Sequence, residues 1–139
     1  MLEVDFLLKL LVALVLSGFI GLERELKERP AGLRTHILVC LGAAVFTILA
    51  VDFFSLYPDS IARIIAGIIT GIGFLGAGTI MNAEHNIRGL TTAAGIWVVA
   101  GVGIAVGLGY YYMSLVLTVI VLLVLKLHSV ERTLHTKKF

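Results

Sequence analysis

Five apolar runs, at about residues 4–22, 37–54, 61–81, 91–109 and 110–127, fill almost the whole chain. A helix crossing the roughly 30 Å hydrocarbon core of a bilayer needs about 20 such residues. The expected fold is therefore all-α: a polytopic membrane bundle of five transmembrane helices, residues 1–139 forming one transmembrane domain. Composition agrees, because 59% of the residues are hydrophobic and 14% charged, with a mean hydropathy of +1.04, far from the soluble range. The first run lacks the features of a signal peptide, since acidic Glu3 and Asp5 stand where a basic segment is expected and "SGFIGLERE" continues without a clear cleavage site. It is kept in the mature chain. The single Cys40 lies within the second run, so no intrachain disulfide forms.

Lysine and arginine set the orientation. Arg24, Lys27, Arg29, Arg34, Arg88, Lys126, Arg132, Lys137 and Lys138 fall on one side of the expected bundle, and Lys9 and Arg63 on the other. By the positive-inside rule the nine-residue side is cytoplasmic, giving an outside amino terminus and a cytoplasmic carboxyl terminus, as five spans require. Aromatic residues mark the opposite boundary, at Phe53, Phe54, Tyr57 and Tyr110 to Tyr112.

The runs differ in their small residues. Gly67, Gly71 and Gly78 recur on one face of the third, Gly103 and Gly107 are four apart in the fourth, and so are Ser17 and Gly21 in the first. Small residues let helix backbones approach in lipid, where close packing replaces the hydrophobic effect. The third helix is therefore expected at the centre. The fifth run, "MSLVLTVIVLLVLKL", has no glycine and is apolar all round, which reads as a peripheral, lipid-facing helix. "GIGFLG", Gly71 to Gly76, matches a dinucleotide-binding string, but it follows no strand, and Ile96 stands where the acidic partner belongs. Packing explains it better.

In "NAEHNIRGLTTAAGIW", Asn82 and the polar Glu84, His85 and Asn86 close the third helix, Gly89 turns the chain, and Thr91 or Thr92 is expected to cap the fourth. Trp97 falls too deep for an interfacial belt, which leaves core packing or the lining of a cavity.

The segments "GLERE", "AGLRTH.LV", "GIGFLGAG.I" and "RGLTTAAGIW", in this order and at these separations, resemble the transmembrane domain of the MgtC/SapB family of bacterial inner-membrane proteins, over about residues 10–110. The resemblance implies a five-helix domain and a role in adaptation to low magnesium and survival inside host cells. For some members it also implies inhibition of the F-type ATP synthase; the family has been labelled a magnesium transporter as well. Members of the MgtC type continue into a cytoplasmic domain after the fifth span, so a chain ending at Phe139 resembles the short SapB-like form.

The densest charge lies in "GLERELKERPAGLRTH", Gly21 to His36. Lys27, Glu28 and Arg29, around the helix-breaking Pro30, read as a solvated loop. Glu23, Arg24 and Arg34 stand nearer the apolar boundary, where an unpaired charge is costly. They are expected to form a polar network with Thr35, Arg88, Thr91 and Thr92 at the cytoplasmic mouth of the bundle. Its arginines and helix amino termini suit an anion or a partner's acidic group better than Mg²⁺, which prefers carboxylates and water. At the outer end Asp5 and Lys9, and Asp59 and Arg63, have pairing distance along a helix, which leaves Asp52 as a site of loose cation attraction.

Two functional classes follow. One is a regulatory membrane protein working through the bilayer and other membrane proteins, the F-type ATP synthase among them by resemblance. The other is a small transporter or channel for an ion, Mg²⁺ included, or a small anion. Five short helices enclose a path poorly, so transport calls for a homo-oligomer such as a dimer. An enzyme is not expected, since the four histidines are dispersed; neither a cofactor nor a nucleic-acid partner is implied.

Overall fold

Each helix stops where its residues supply a break. The first charged segment contains only good helix formers up to Leu26, so the first helix runs beyond its apolar run. It ends at Leu26, and just beyond it the left-handed backbone of Glu28 (φ 52°) lets Arg29 N–H reach the Arg24 carbonyl, while Glu28 N–H bonds that of Glu25. Gly109 does the same after the fourth helix, with Tyr110 N–H on the Ala105 carbonyl. In this computed structural model, which describes residues 2–83 and 86–136, the elements are α1 (Leu2–Leu26), α2 (Leu33–Phe54), α3 (Pro58–Ala77), β1 (Met81–Ala83), β2 (Asn86–Arg88), α4 (Leu90–Gly107) and α5 (Tyr111–Thr136).

The turn expected between the third and fourth helices is a small antiparallel hairpin, pairing Met81 with Arg88 and Asn82 with Ile87. Glu84 and His85, assigned above to the helix end, lie outside the described residues, as do Lys137 and Lys138. The hairpin, the α1–α2 loop and the amino terminus of α4 share one end of the bundle, here called the hairpin end.

The helix at the centre is α4, not α3. It packs against α1, α2, α3 and α5, and Ile96, Val99, Ala100, Val102 and Val106 are buried. In a membrane bundle small residues allow close neighbours, and the glycines and alanines of "AAGIWVVAGVGIAVG" supply them on several sides. By contrast, among the described residues Gly76 alone is buried on α3. A Cβ added at Gly67 or Gly71 would meet nothing within 4 Å, so the glycine face expected to seat another helix is open. The fifth helix exposes Leu115, Val119 and Leu123, but it also buries Ser114 and Thr118 against the bundle. Their hydroxyls donate to the Tyr110 and Ser114 carbonyls at 2.8 Å, which satisfies them without a partner helix.

Outward-facing Leu7, Phe19, Phe46, Phe74 and Leu115 leave an apolar surface far beyond what water tolerates. Helices α1 to α4 are long and apolar enough to cross a bilayer, and α5 is apolar over Tyr111–Leu127. The chain is a membrane protein. Trp97 is 50% exposed on the outer side of α4, so it neither fills the core nor lines an internal cavity; its neighbours Ile96 and Val99 occupy the inward positions.

Candidate functional site

Three close approaches assemble the hairpin end. At Gly21 the α1 backbone lies against α2, so that a Cβ there would sit 2.8 Å from Leu33 Cα and 3.1 Å from His36 Cβ. The first N–H of α2 is capped from α1: Leu33 N–H donates to Glu25 Oε2 at 2.9 Å, and a side chain at Gly32 would collide with that carboxylate. At the start of α4, neither threonine caps the helix. Gly89 occupies the position with φ 92°, where any larger residue would also strike the Thr79 carbonyl.

Thr92 is thereby free to serve another group. Its Oγ1 accepts from Arg24 Nη2 at 3.2 Å, joining α1 to α4 deep in the bundle. Arg24 is only 3% exposed. Glu23 Oε2 stands 3.9 Å from Arg24 Nη1, and Glu23 Oε1 stands 2.5 Å from Lys27 Nζ. Lys27 in turn donates to the Leu125 carbonyl at 3.3 Å, which ties the end of α1 to α5. Charges held this far from water are conformationally restrictive, because separating one from its partners leaves the other buried and unpaired.

Of the expected network, the structure brings together Glu23, Arg24 and Thr92, and adds Lys27, which was read above as a solvated loop charge. Because α1 continues helically to Leu26, Lys27 falls one turn beyond Glu23 and reaches it. Arg34 and Thr35 stand apart. Both are exposed and, among the described residues, neither side chain has a hydrogen-bond or ion-pair partner; one helical turn on from Arg34 is Leu38, also exposed, whereas His36, Val39, Cys40 and Ala43 form the buried face of α2. Arg88 and Thr91 are exposed too, but they line a cleft of about 810 Å³ whose wall also includes Arg24, Glu28, Arg29 and Thr92.

His36 was missed as a member. Fully buried, it places Nδ1 2.8 Å from the Gly32 carbonyl. A carbonyl only accepts, so Nδ1 carries a proton; Nε2 is buried without a partner among the described residues and is an acceptor when the ring is neutral. The signal was its spacing, since His36 precedes Cys40 and Ala43 on the α2 buried face.

At the opposite end Asp5 and Lys9 pair at 2.9 Å, and the Tyr111 hydroxyl donates to Asp5 at 3.4 Å. No ion pair joins Asp59 to Arg63 among the described residues; Asp52 is exposed. Among the described residues no three His, Cys, Asp or Glu side chains converge as metal ligands would.

The remaining small-residue positions divide the same way. Ser17 is buried and donates to the Ala13 carbonyl at 2.6 Å. Gly107 lets α4 meet α2 so closely that a Cβ would stand 2.7 Å from Thr47 Cβ, and at Gly103 it would run into the Cys40 carbonyl oxygen. Gly78 only ends α3.

A family profile described as the MgtC family matches residues 10–133. Protein MgtC of Salmonella typhimurium strain LT2 is 48% identical over 122 residues, covering 88% of this chain and 52% of that protein. YhiD of Escherichia coli strain K12, whose name proposes it as a magnesium transporter, is 39% identical over 145 residues, covering 97% of this chain and 66% of that protein. An uncharacterized protein of Haemophilus influenzae strain Rd is 41% identical over 138 residues, or 93% and 58% of the two chains. The chain thus spans between about half and two thirds of the length of these relatives. No solved structure matches.

Proposed function

The chain belongs to the MgtC family, and from that premise we propose that it is a non-enzymatic regulatory protein of the bacterial inner membrane, acting in adaptation to magnesium limitation and in membrane energetics by binding other membrane components. It crosses the bilayer five times with the hairpin end in the cytoplasm, as the nine-to-two division of lysine and arginine favours. The F-type ATP synthase is a partner that the family resemblance implies.

One observation supports a binding role over conduction by a single protomer. Between the Arg24–Thr92 lock and the aromatic end, α2 and α4 lie in backbone contact at Gly103 and Gly107, and the space around them is filled by Cys40, Ala43, Ala44, Val99, Val102 and Val106. The buried hydroxyls of Ser17 and Thr47 bond back to their own helices. A cation path needs successive oxygen ligands facing one another across a space, and this seam offers backbone packed on backbone.

The test pairs a growth assay with a flux assay. A strain lacking its own family member should regain growth at limiting magnesium when it expresses this chain, and should yield a membrane partner by cross-linking. The purified protein in liposomes should admit Mg²⁺ no faster than protein-free liposomes. Saturable Mg²⁺ entry that scales with protein would replace regulation by oligomeric transport.

A further inference from the structure

The cleft at the hairpin end is more than a gap between loops. Its inner wall is the buried Arg24, its floor is the start of α4, and its rim carries Arg29 and Arg88. The 18-residue α4 has no side-chain cap, so the N–H groups of Leu90, Thr91 and Thr92 lack intrahelical acceptors and present the positive end of the helix dipole. The two guanidinium groups on the α1 side add a second, independent feature. Among the described residues Nε of Arg24 and Nε of Arg29 are both buried without a hydrogen-bond partner, although buried donors are nearly always satisfied. Among the described residues Glu28 is the one carboxylate on the lining, and it is exposed. Glu23, behind Arg24 at 3.9 Å, offsets part of the arginine charge, and Arg29, Arg88 and the helix amino terminus leave the lining, among the described residues, with an excess of donors suited to an oxyanion.

Most of the rest of the lining is apolar and faces outward: Ile87, Leu90, Val124 and Leu127 are each more than half exposed. They lie where α1 and the apolar part of α5 end and α4 begins, the level at which a bilayer spanned by these helices has its headgroups. We propose that this cleft binds a phosphate oxyanion, with Arg24, Arg29, Arg88 and the α4 amino terminus as its donors. Two sources share this chemistry: the headgroup of an anionic phospholipid, whose chains would run along Leu90, Val124 and Leu127, and a free phosphate. The site goes beyond the regulatory role proposed above and does not depend on it, because binding is read on the isolated protein.

The full chain, purified in a neutral detergent, is melted with added dioleoylphosphatidylglycerol, with dioleoylphosphatidylcholine, and with inorganic phosphate. Phosphatidylglycerol should raise the melting temperature saturably, and phosphatidylcholine should not; a response to inorganic phosphate without one to phosphatidylglycerol would identify the free anion as the source. Arg24→Gln is informative only if it folds, so the deciding variants are Arg29→Gln and Arg88→Gln. Each should weaken the response roughly fivefold, the scale of one basic residue near an anionic headgroup. Arg34→Gln, which removes the same charge from the same end but outside the cleft, should bind as wild type does. Absence of any response to both anions would overturn the site. So would an equal loss in Arg34→Gln, which would reduce the effect to general surface charge.

Discussion

Gly103 and Gly107 on α4 have the same four-residue spacing as Gly67 and Gly71 on α3, yet the two pairs do opposite things. The first pair brings α4 and α2 into backbone contact, with no room for a Cβ. The second pair faces an open apolar groove of about 480 Å³ between α3 and α2, lined also by Gly42, Phe46 and Leu75. Small-xxx-small spacing therefore permits close approach without saying that anything approaches. What separates the pairs is the rest of each helix. Around Gly103 and Gly107 every side is Val, Ile or Ala, as a surrounded helix needs, whereas α3 exposes Arg63, Thr70 and Phe74 away from its contacts.

The arginines divide in the same manner and carry the largest expected effect. Arg24 and Arg34 both flank the first loop, but Arg24 is locked to Thr92 while Arg34 is exposed. Removing one member of a buried charged set costs about 3–5 kcal/mol, whereas an exposed substitution usually stays within about ±0.5 kcal/mol. Arg24→Ala should thus lose most of its folded yield, and Arg34→Ala should melt as wild type in detergent. Equal loss at both positions would mean that α2 presents Arg34 to a structural partner, and the division between packed and open surfaces would fail for the charges.

Next in size is the seam itself. Gly103→Leu drives a side chain into the Cys40 carbonyl, where the obstacle is backbone. Overpacking typically costs about 1–3 kcal/mol and occasionally more, and a backbone obstacle places this variant at the upper end. A lowered melting temperature checks it; tolerance would show that α2 and α4 separate easily, which would reopen a path along their interface.

The helical class and the five helices were legible because apolar length alone decides them. The site was legible in part. Glu23, Arg24 and Thr92 stood out as polar groups at the edges of apolar runs, and the structure joins them. Arg34 looked equivalent in sequence but points away, because the rotational phase of α2 is set by what His36, Val39 and Ala43 bury. Lys27 was misread because the first helix was expected to stop with its apolar run near residue 22, whereas it continues to Leu26 and sets Lys27 one turn beyond Glu23. Helix order in the bundle depends on which apolar faces meet, and glycine count misdirected it toward α3.

The smallest expected effect belongs to Gly71→Leu, and it tests the comparison most directly. On spacing alone this substitution should be as damaging as Gly103→Leu. The structure predicts otherwise, because nothing stands within 4 Å of the position where the new Cβ would lie, and the side chain would extend into the groove beside Ile68 and Ile72. Leucine also favours a helix over glycine by roughly 0.5–1 kcal/mol, which offsets small adjustments in its neighbours. The isolated protein should therefore melt within about 0.5 kcal/mol of wild type. The comparison breaks if Gly71→Leu falls as far as Gly103→Leu. Size-exclusion chromatography with light scattering, run on both variants, gives the reason: a simultaneous drop in molecular mass would mean that another copy of the chain fills the groove, and an unchanged mass would mean that α3 packs more tightly against α2 than this arrangement has it.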